Sequence, residues 1–133
     1  MRLELSRRGD YAVRAMVALA RLESAQITGA ALAETAGIPP AFLAQVMGGL
    51  VRAGLVTAKR GRRGGYRLTM APESVSLRTV VESVEGDSRR QACVLRGGPC
   101  GRDGTCDLHD AFFRAQEALF ESLDRVSLRD VTR

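Results

Sequence analysis

Three cysteines fall within fourteen residues, Cys93-x6-Cys100-x5-Cys106, and His109 follows three positions after the last. Thiolates are soft metal ligands, and they form most readily in electropositive surroundings. Arg89, Arg90, Arg96 and Arg102 supply such surroundings. Gly97, Gly98, Gly101 and Gly104 let this segment wrap around a group larger than one ion. The spacing matches neither the ferredoxin runs nor the paired knuckles of most structural zinc sites. An odd cysteine count, with no apolar signal-type stretch between Met1 and Asp10, argues against a disulfide framework. Three thiolates and an imidazole point to a metal centre, with iron–sulfur ahead of zinc and unliganded, oxidisable thiols as the remaining alternative.

The second pattern is electrostatic. Residues 1–70 carry 11 basic and 4 acidic side chains, a net of +7, whereas residues 71–133 carry 9 and 11, a net of −2. No acidic residue lies between Thr35 and Pro72, a window holding Arg52, Lys59, Arg60, Arg62, Arg63 and Arg67. A field of one sign suits a polyanion, and nucleic acid is the commonest. Codon bias accounts for Arg over Lys but not for the missing acids. Hydrolytic catalysis has little support: there is one histidine, no nucleophile elbow and no phosphate-binding Gly-Lys loop.

These groups need elements to hold them. From Arg7 to Leu22 the set Ala12, Ala15, Met16 and Leu19 recurs at helical spacing, with Arg8 and Arg14 forming a basic side. Thr28 can cap a short helix that ends at Ala36 with Gly37 as terminator. Pro39 and Pro40 suit a turn and the first turn of a further helix. In it Leu43, Val46, Met47 and Leu50 face inward, leaving Ala41, Ala44, Gln45, Gly48, Gly49 and Arg52 outward. Two short helices joined by a tight turn after a first helix are the helix-turn-helix layout. Gln45 is able to read adenine bidentately in a major groove, and Arg52 suits a phosphate. Gly48 and Gly49 each cost about 1 kcal/mol relative to Ala inside a helix, so a backbone must come close there, either DNA or another helix.

Leu55–Lys59 and Tyr66–Thr69 read as two strands around the tip Arg60-Gly61-Arg62-Arg63-Gly64-Gly65. A glycine-rich hairpin tip with three arginines is a wing, suited to phosphates or a minor groove. Ser76 caps a helix with Leu77, Val80, Val81 and Val84 inward and Gly86 as its stop. Residues 87–105 have no period, and a loop of that length is usually functional or disordered. Cys106 is expected to open a long helix to about Arg125, with Leu108, Phe112, Ala115, Leu119 and Leu123 as an apolar stripe widened by Phe113 and Phe120. Its surface exceeds what a small domain readily covers, which suits a dimer helix. Ser127–Val131 reads as a terminal helical turn.

The segments Met1-Arg2-Leu3, Gly9-Asp10-Tyr11-Ala12-Val13-Arg14-Ala15, Phe42-Leu43-Ala44-Gln45, Gly54-Leu55-Val56 and Arg60-Gly61 with Gly64-Gly65-Tyr66, together with the three-cysteine loop before a long helix, resemble the IscR/NsrR/RirA family of iron–sulfur winged-helix transcription regulators. The resemblance covers nearly the whole chain. It implies a homodimer on a roughly palindromic operator, with cluster status controlling the DNA-binding head in response to iron–sulfur supply, redox stress or nitric oxide. It also implies Cys93, Cys100 and Cys106 as ligands to the iron–sulfur cluster, and two alternatives for the fourth. His109 matches the histidine of the IscR branch, which carries 2Fe–2S. Asp10 occupies the position from which, in the NsrR branch, the partner subunit supplies an aspartate to 4Fe–4S. The histidine, and with it 2Fe–2S, is slightly preferred. The first cysteine gap is one residue longer than the family's usual five, and Ala44 stands where the IscR branch has Glu, so operator preference does not carry over.

The expectation is therefore a mainly α chain: a winged helix-turn-helix domain with a two-stranded wing over residues 1–72, and residues 73–133 holding the cluster-binding loop (87–106) and dimerisation helices. Candidate contacts to double-stranded DNA are Pro40, Ala41, Ala44, Gln45, Arg52, Lys59, Arg60, Arg62, Arg63 and Tyr66. A DNA-binding regulator with a zinc or thiol-switch site, or an iron–sulfur redox protein that binds no DNA, are the alternatives. No apolar run approaches the ~18 residues of a membrane helix, and the expected location is cytoplasmic.

Overall fold

Ser6 starts the first helix: its Oγ accepts the Gly9 N–H at 3.1 Å, satisfying one of the orphan donors of the first turn. The helix it caps is α1 (Arg7–Arg21). The structure, a computed structural model, describes residues 3–86 and 107–132. Ala12, Ala15, Met16 and Leu19 are all fully buried, as their spacing requires. Thr28 Oγ1 accepts the Ala31 N–H at 3.2 Å to cap α2 (Gly29–Ala36), and Gly37 ends it with φ +66°, a left-handed turn that favours glycine. Pro40 begins α3 (Pro40–Arg52), where it costs no hydrogen bond.

Strands β1 (Val56–Lys59) and β2 (Gly65–Leu68) pair antiparallel, in a register from Val56 opposite Leu68 to Lys59 opposite Gly65. Each is shifted from its expected bounds. Gly65 belongs to the strand because it pairs with Lys59, so the tip is Arg60–Gly64. Ile27, just before α2, adds a single-residue third strand: its N–H donates to Tyr66 O at 3.0 Å and its carbonyl accepts the Tyr66 N–H at 2.7 Å.

A 3₁₀ turn (Pro72–Ser74) leads to α4 (Leu77–Glu85), which Ser76 caps and Gly86 terminates. Val80 and Val81 are buried, with Leu77 and Val84 partly so. α4 packs against both α1 and α3. The long helix α5 (His109–Arg125) starts at His109, with Asp107 and Leu108 in a turn and no side-chain cap. Its expected first residue, Cys106, lies outside the described residues. α6 (Leu128–Val131) is closed by a reciprocal capping box of Ser127 and Asp130.

Residues on both sides of Pro72 share one core. Val75, Val80 and Leu128 join Met16, Leu19, Leu32, Met47 and Leu50 in it, each large side chain contributing about 1.5–3 kcal/mol by leaving water. The chain returns from α5 to this core through backbone hydrogen bonds, Leu77 N–H to Val126 O and Leu128 N–H to Val75 O, both at 2.9 Å. No described helix is long and apolar enough to cross a membrane.

Candidate nucleic-acid interface and metal-ligating residues

On α3 the inward set is as the spacing requires: Leu43, Val46, Met47 and Leu50 are buried. Pro40, Ala41, Ala44, Gln45 and Arg52 are exposed. Gly49 is a correction, since it is buried rather than outward. A Cβ there would lie 3.0 Å from Val84 Cγ1 and 3.4 Å from Ser83 O, so the close approach is that of α4. Gly48 differs: a Cβ would meet only Arg52 Nη1, at 3.3 Å. The outer face of α3 therefore has one position stripped to backbone, flanked by an arginine. Phe42 is 40% exposed and its ring lies 6.0 Å from that of Tyr11, joining the first turn of α3 to α1.

The wing is built by its glycines. Gly61 takes φ +103°, and the Gly64 N–H donates to Gly61 O at 2.9 Å. Lys59, Arg60, Arg62 and Arg63 are exposed, while Tyr66 is half-buried against the core beside Gly29 and holds the wing's root. Among the described residues, none of the six basic side chains between Thr35 and Pro72 pairs with a carboxylate. The two faces together present cations and one amide able to read a base.

Asp10 sits on α1 with Oδ1 3.1 Å from Arg14 Nε. Both line an open groove of about 580 Å³ with Leu5, Arg7, Tyr11 and Pro39. Part-exposed, at the edge of a groove and held by a single exposed ion pair, this carboxylate has the donor chemistry and the access that an iron site needs. His109, the first residue of α5, stacks on Phe113 with ring centroids 6.1 Å apart and planes at 14°; it too has a suitable donor. Cys93, Cys100 and Cys106, and the rest of the expected loop, lie outside the described residues. Among the described residues no three potential ligands gather.

One contact had no sequence signal beyond a glycine. Glu85, the last residue of α4, accepts the Ser6 N–H at 2.7 Å through Oε1. Gly9 makes room for it, because a Cβ there would fall 2.5 Å from that oxygen. The end of α4, which leads into the cysteine segment, is thus tied to the helix start that carries Asp10.

On α5 the apolar stripe divides. Phe120 is buried against α4, which corrects its assignment to the open face. The Arg78 guanidinium lies 5.0 Å over its ring while bonding Glu82 and Asp124, each at 2.9 Å. Leu108, Phe112, Phe113 and Leu119 remain between 36 and 52% exposed.

A three-helix head with an antiparallel wing, a helix presenting Gln45 and a patch of exposed arginines define a winged-helix DNA-binding regulator. The comparisons carry this further. Residues 5–133 match the Rrf2 family, described as iron-dependent transcriptional regulators, and the chain belongs to that family. It is 31% identical over 131 residues to the transcriptional repressor NsrR of Streptomyces coelicolor, covering 97% of this chain and 88% of that one. It is 29% identical to the transcriptional regulator IscR of Aliivibrio salmonicida, covering 97 and 77%. Among solved structures, CymR, the global cysteine regulator of B. subtilis, superposes with a TM-score of 0.82 at 25% identity, over 98% of this chain and 97% of that one. IscR of T. potens does so with 0.74 at 26%, over 97 and 85%. These relatives regulate transcription and are not enzymes.

Proposed function

We propose that the chain works as a cytoplasmic homodimer whose grip on a roughly palindromic operator is set by an iron–sulfur cluster. Residues 1–72 supply the DNA-binding face and residues 73–133 the cluster loop and the dimer contact. The observation that carries this reading is the set of six basic side chains on α3 and the hairpin that have no carboxylate partner among the described residues. Gln45 reads a base, Arg52 and Lys59 meet phosphate, and Arg60, Arg62 and Arg63 hold the wing to the duplex, with Pro40, Ala41, Ala44 and Tyr66 shaping the contact. Because phosphate contacts release counterions, about six per head make affinity fall by orders of magnitude between low and moderate salt.

The exposed stripe Leu108, Phe112, Phe113 and Leu119 supports a second copy as the occupant of α5. Cys93, Cys100 and Cys106 would hold the cluster, with His109 or Asp10 of the partner subunit as fourth ligand. When bound, the cluster supplies a redox- and iron-dependent signal to the fold. Imidazole ligation couples the site to pH, whereas a carboxylate makes it one charge more negative and ties the loop to α1 across the dimer.

Anaerobic purification, iron and sulfide counts and an optical spectrum test the cluster. Coloured protein with both elements is expected, and Asp10→Ala and His109→Ala identify the last ligand. Binding to a duplex selected by the protein from a random library should then change when the cluster is removed. Colourless protein, or equal binding with and without the cluster, overturns the reading.

A further inference from the structure

Gln26 lies in the connection between α1 and α2, outside every element of the interface. Its Nε2 donates to the backbone carbonyl of Arg63, thirty-seven positions away at the wing tip. Ile27, next in the chain, exchanges both of its backbone hydrogen bonds with Tyr66 at the wing's root. Gly65 lies between the two. It takes φ +152°, and a Cβ there would fall 2.2 Å from Ile27 O and 3.2 Å from Gln26 Cγ. On the inner side of the tip, a Cβ at Gly64 would lie 2.2 Å from Lys59 O. Both glycines therefore press the backbone of the tip against its supports: its own strand, and the 26–27 segment.

A glycine-rich tip without such a support samples many conformations, and each arginine on it must be ordered when it binds, at a cost in affinity. We propose that Gln26 is a positioning residue for the wing: its amide latches the Arg63 carbonyl and holds Arg62 and Arg63 in the arrangement that meets the duplex. This rests on the reading of the wing as a DNA contact. Gln26 then touches no DNA, and its effect passes wholly through the two arginines.

A double-mutant cycle tests it, with Gln26→Met, Arg62→Ala/Arg63→Ala and the triple variant. Methionine keeps the length and the packing on Gly65 but has no donor. Affinity for the duplex selected by the wild-type protein is measured by fluorescence anisotropy over a range of salt. Arg62→Ala/Arg63→Ala is expected to weaken binding about a hundredfold and to lower the salt slope by about 2. Gln26→Met is expected to weaken it about 3- to 10-fold, one net hydrogen bond's worth, with the salt slope unchanged and at most a few degrees lost from the melting temperature. In the triple variant the Gln26→Met penalty should vanish. A penalty of equal size in both backgrounds would mean that Gln26 acts independently of the arginines, and wild-type affinity in Gln26→Met would mean that no latch matters; either overturns the inference while the wing stands. Wild-type affinity in Arg62→Ala/Arg63→Ala removes the wing itself, and the latch with it.

Discussion

Arginines on α4 and α6 and those on α3 and the wing lead different lives. Arg78 and Arg129 each face two carboxylates: Glu82 and Asp124 for the first, and Glu73 at 2.8 Å with Glu23 at 3.4 Å for the second. Arg52, Arg60, Arg62 and Arg63 face none among the described residues. The side chain is the same, and what differs is where the acids were placed. A guanidinium held by two carboxylates is a strut between elements, whereas one with no partner keeps its field for a ligand. Stability and binding are thereby assigned to different members of one residue type.

The strongest way to break this contrast is to remove the unpaired set. Arg60→Ala/Arg62→Ala/Arg63→Ala should lower duplex affinity by at least about a hundredfold while the melting curve stays put; a shifted melting temperature would make these residues struts as well. The converse comes from the paired set. Arg78→Met takes the guanidinium away from Glu82 and Asp124 and removes the cation over Phe120, so the urea midpoint of unfolding should fall, with duplex affinity unchanged.

Neighbouring glycines sharpen the same division. Gly49→Val must displace Val84 and should cost about 1–3 kcal/mol of stability through overpacking. Gly48→Ala meets only the mobile end of Arg52, so it should gain up to about 1 kcal/mol of helix stability and lose affinity for the duplex.

The smallest expected effect is a pH dependence at Glu73. Hydrogen bonds from its own backbone and from Arg129 hold its carboxyl below the ordinary 4.5. A carboxyl whose folded value is lowered stabilises the fold above its unfolded value and loses that contribution as pH falls through the lowered one. Melting temperatures taken from about pH 6 down to pH 3 should therefore fall slightly more for the wild type than for Glu73→Gln. Parallel curves would mean that this exposed pair contributes nothing.

What the sequence made legible was local. Thr28, Gly37, Pro40, Ser76 and Gly86 act within one turn of their own positions, and the helices they bound stand where the caps put them. Stripes fixed the inward faces of α1 and α3 by the same short-range periodicity. Gly49 defeated that reading because the helix covering it arrives about thirty residues later, and no wheel drawn on α3 alone shows α4. Phe120 went astray for the same reason, since periodicity gives a helix its apolar side but not which part a neighbour covers. Gln26 had no signal and Glu85 none beyond Gly9, because a side chain bonding a backbone group far along the chain leaves no spacing to find. Of the candidate metal ligands, His109 was legible from its spacing after Cys106 and Asp10 only from the resemblance; they stand at the start of α5 and on α1.

The burial of Leu128 among side chains of α1 has a consequence for how the polypeptide acquires its shape. The socket it fills belongs to a helix made more than a hundred residues earlier, so closing the core joins parts of the polymer far apart in sequence. Such closure is slow relative to local helix formation. During synthesis the socket on α1 therefore stays unfilled until Leu128 has emerged, more than a hundred residues after the helix that forms it.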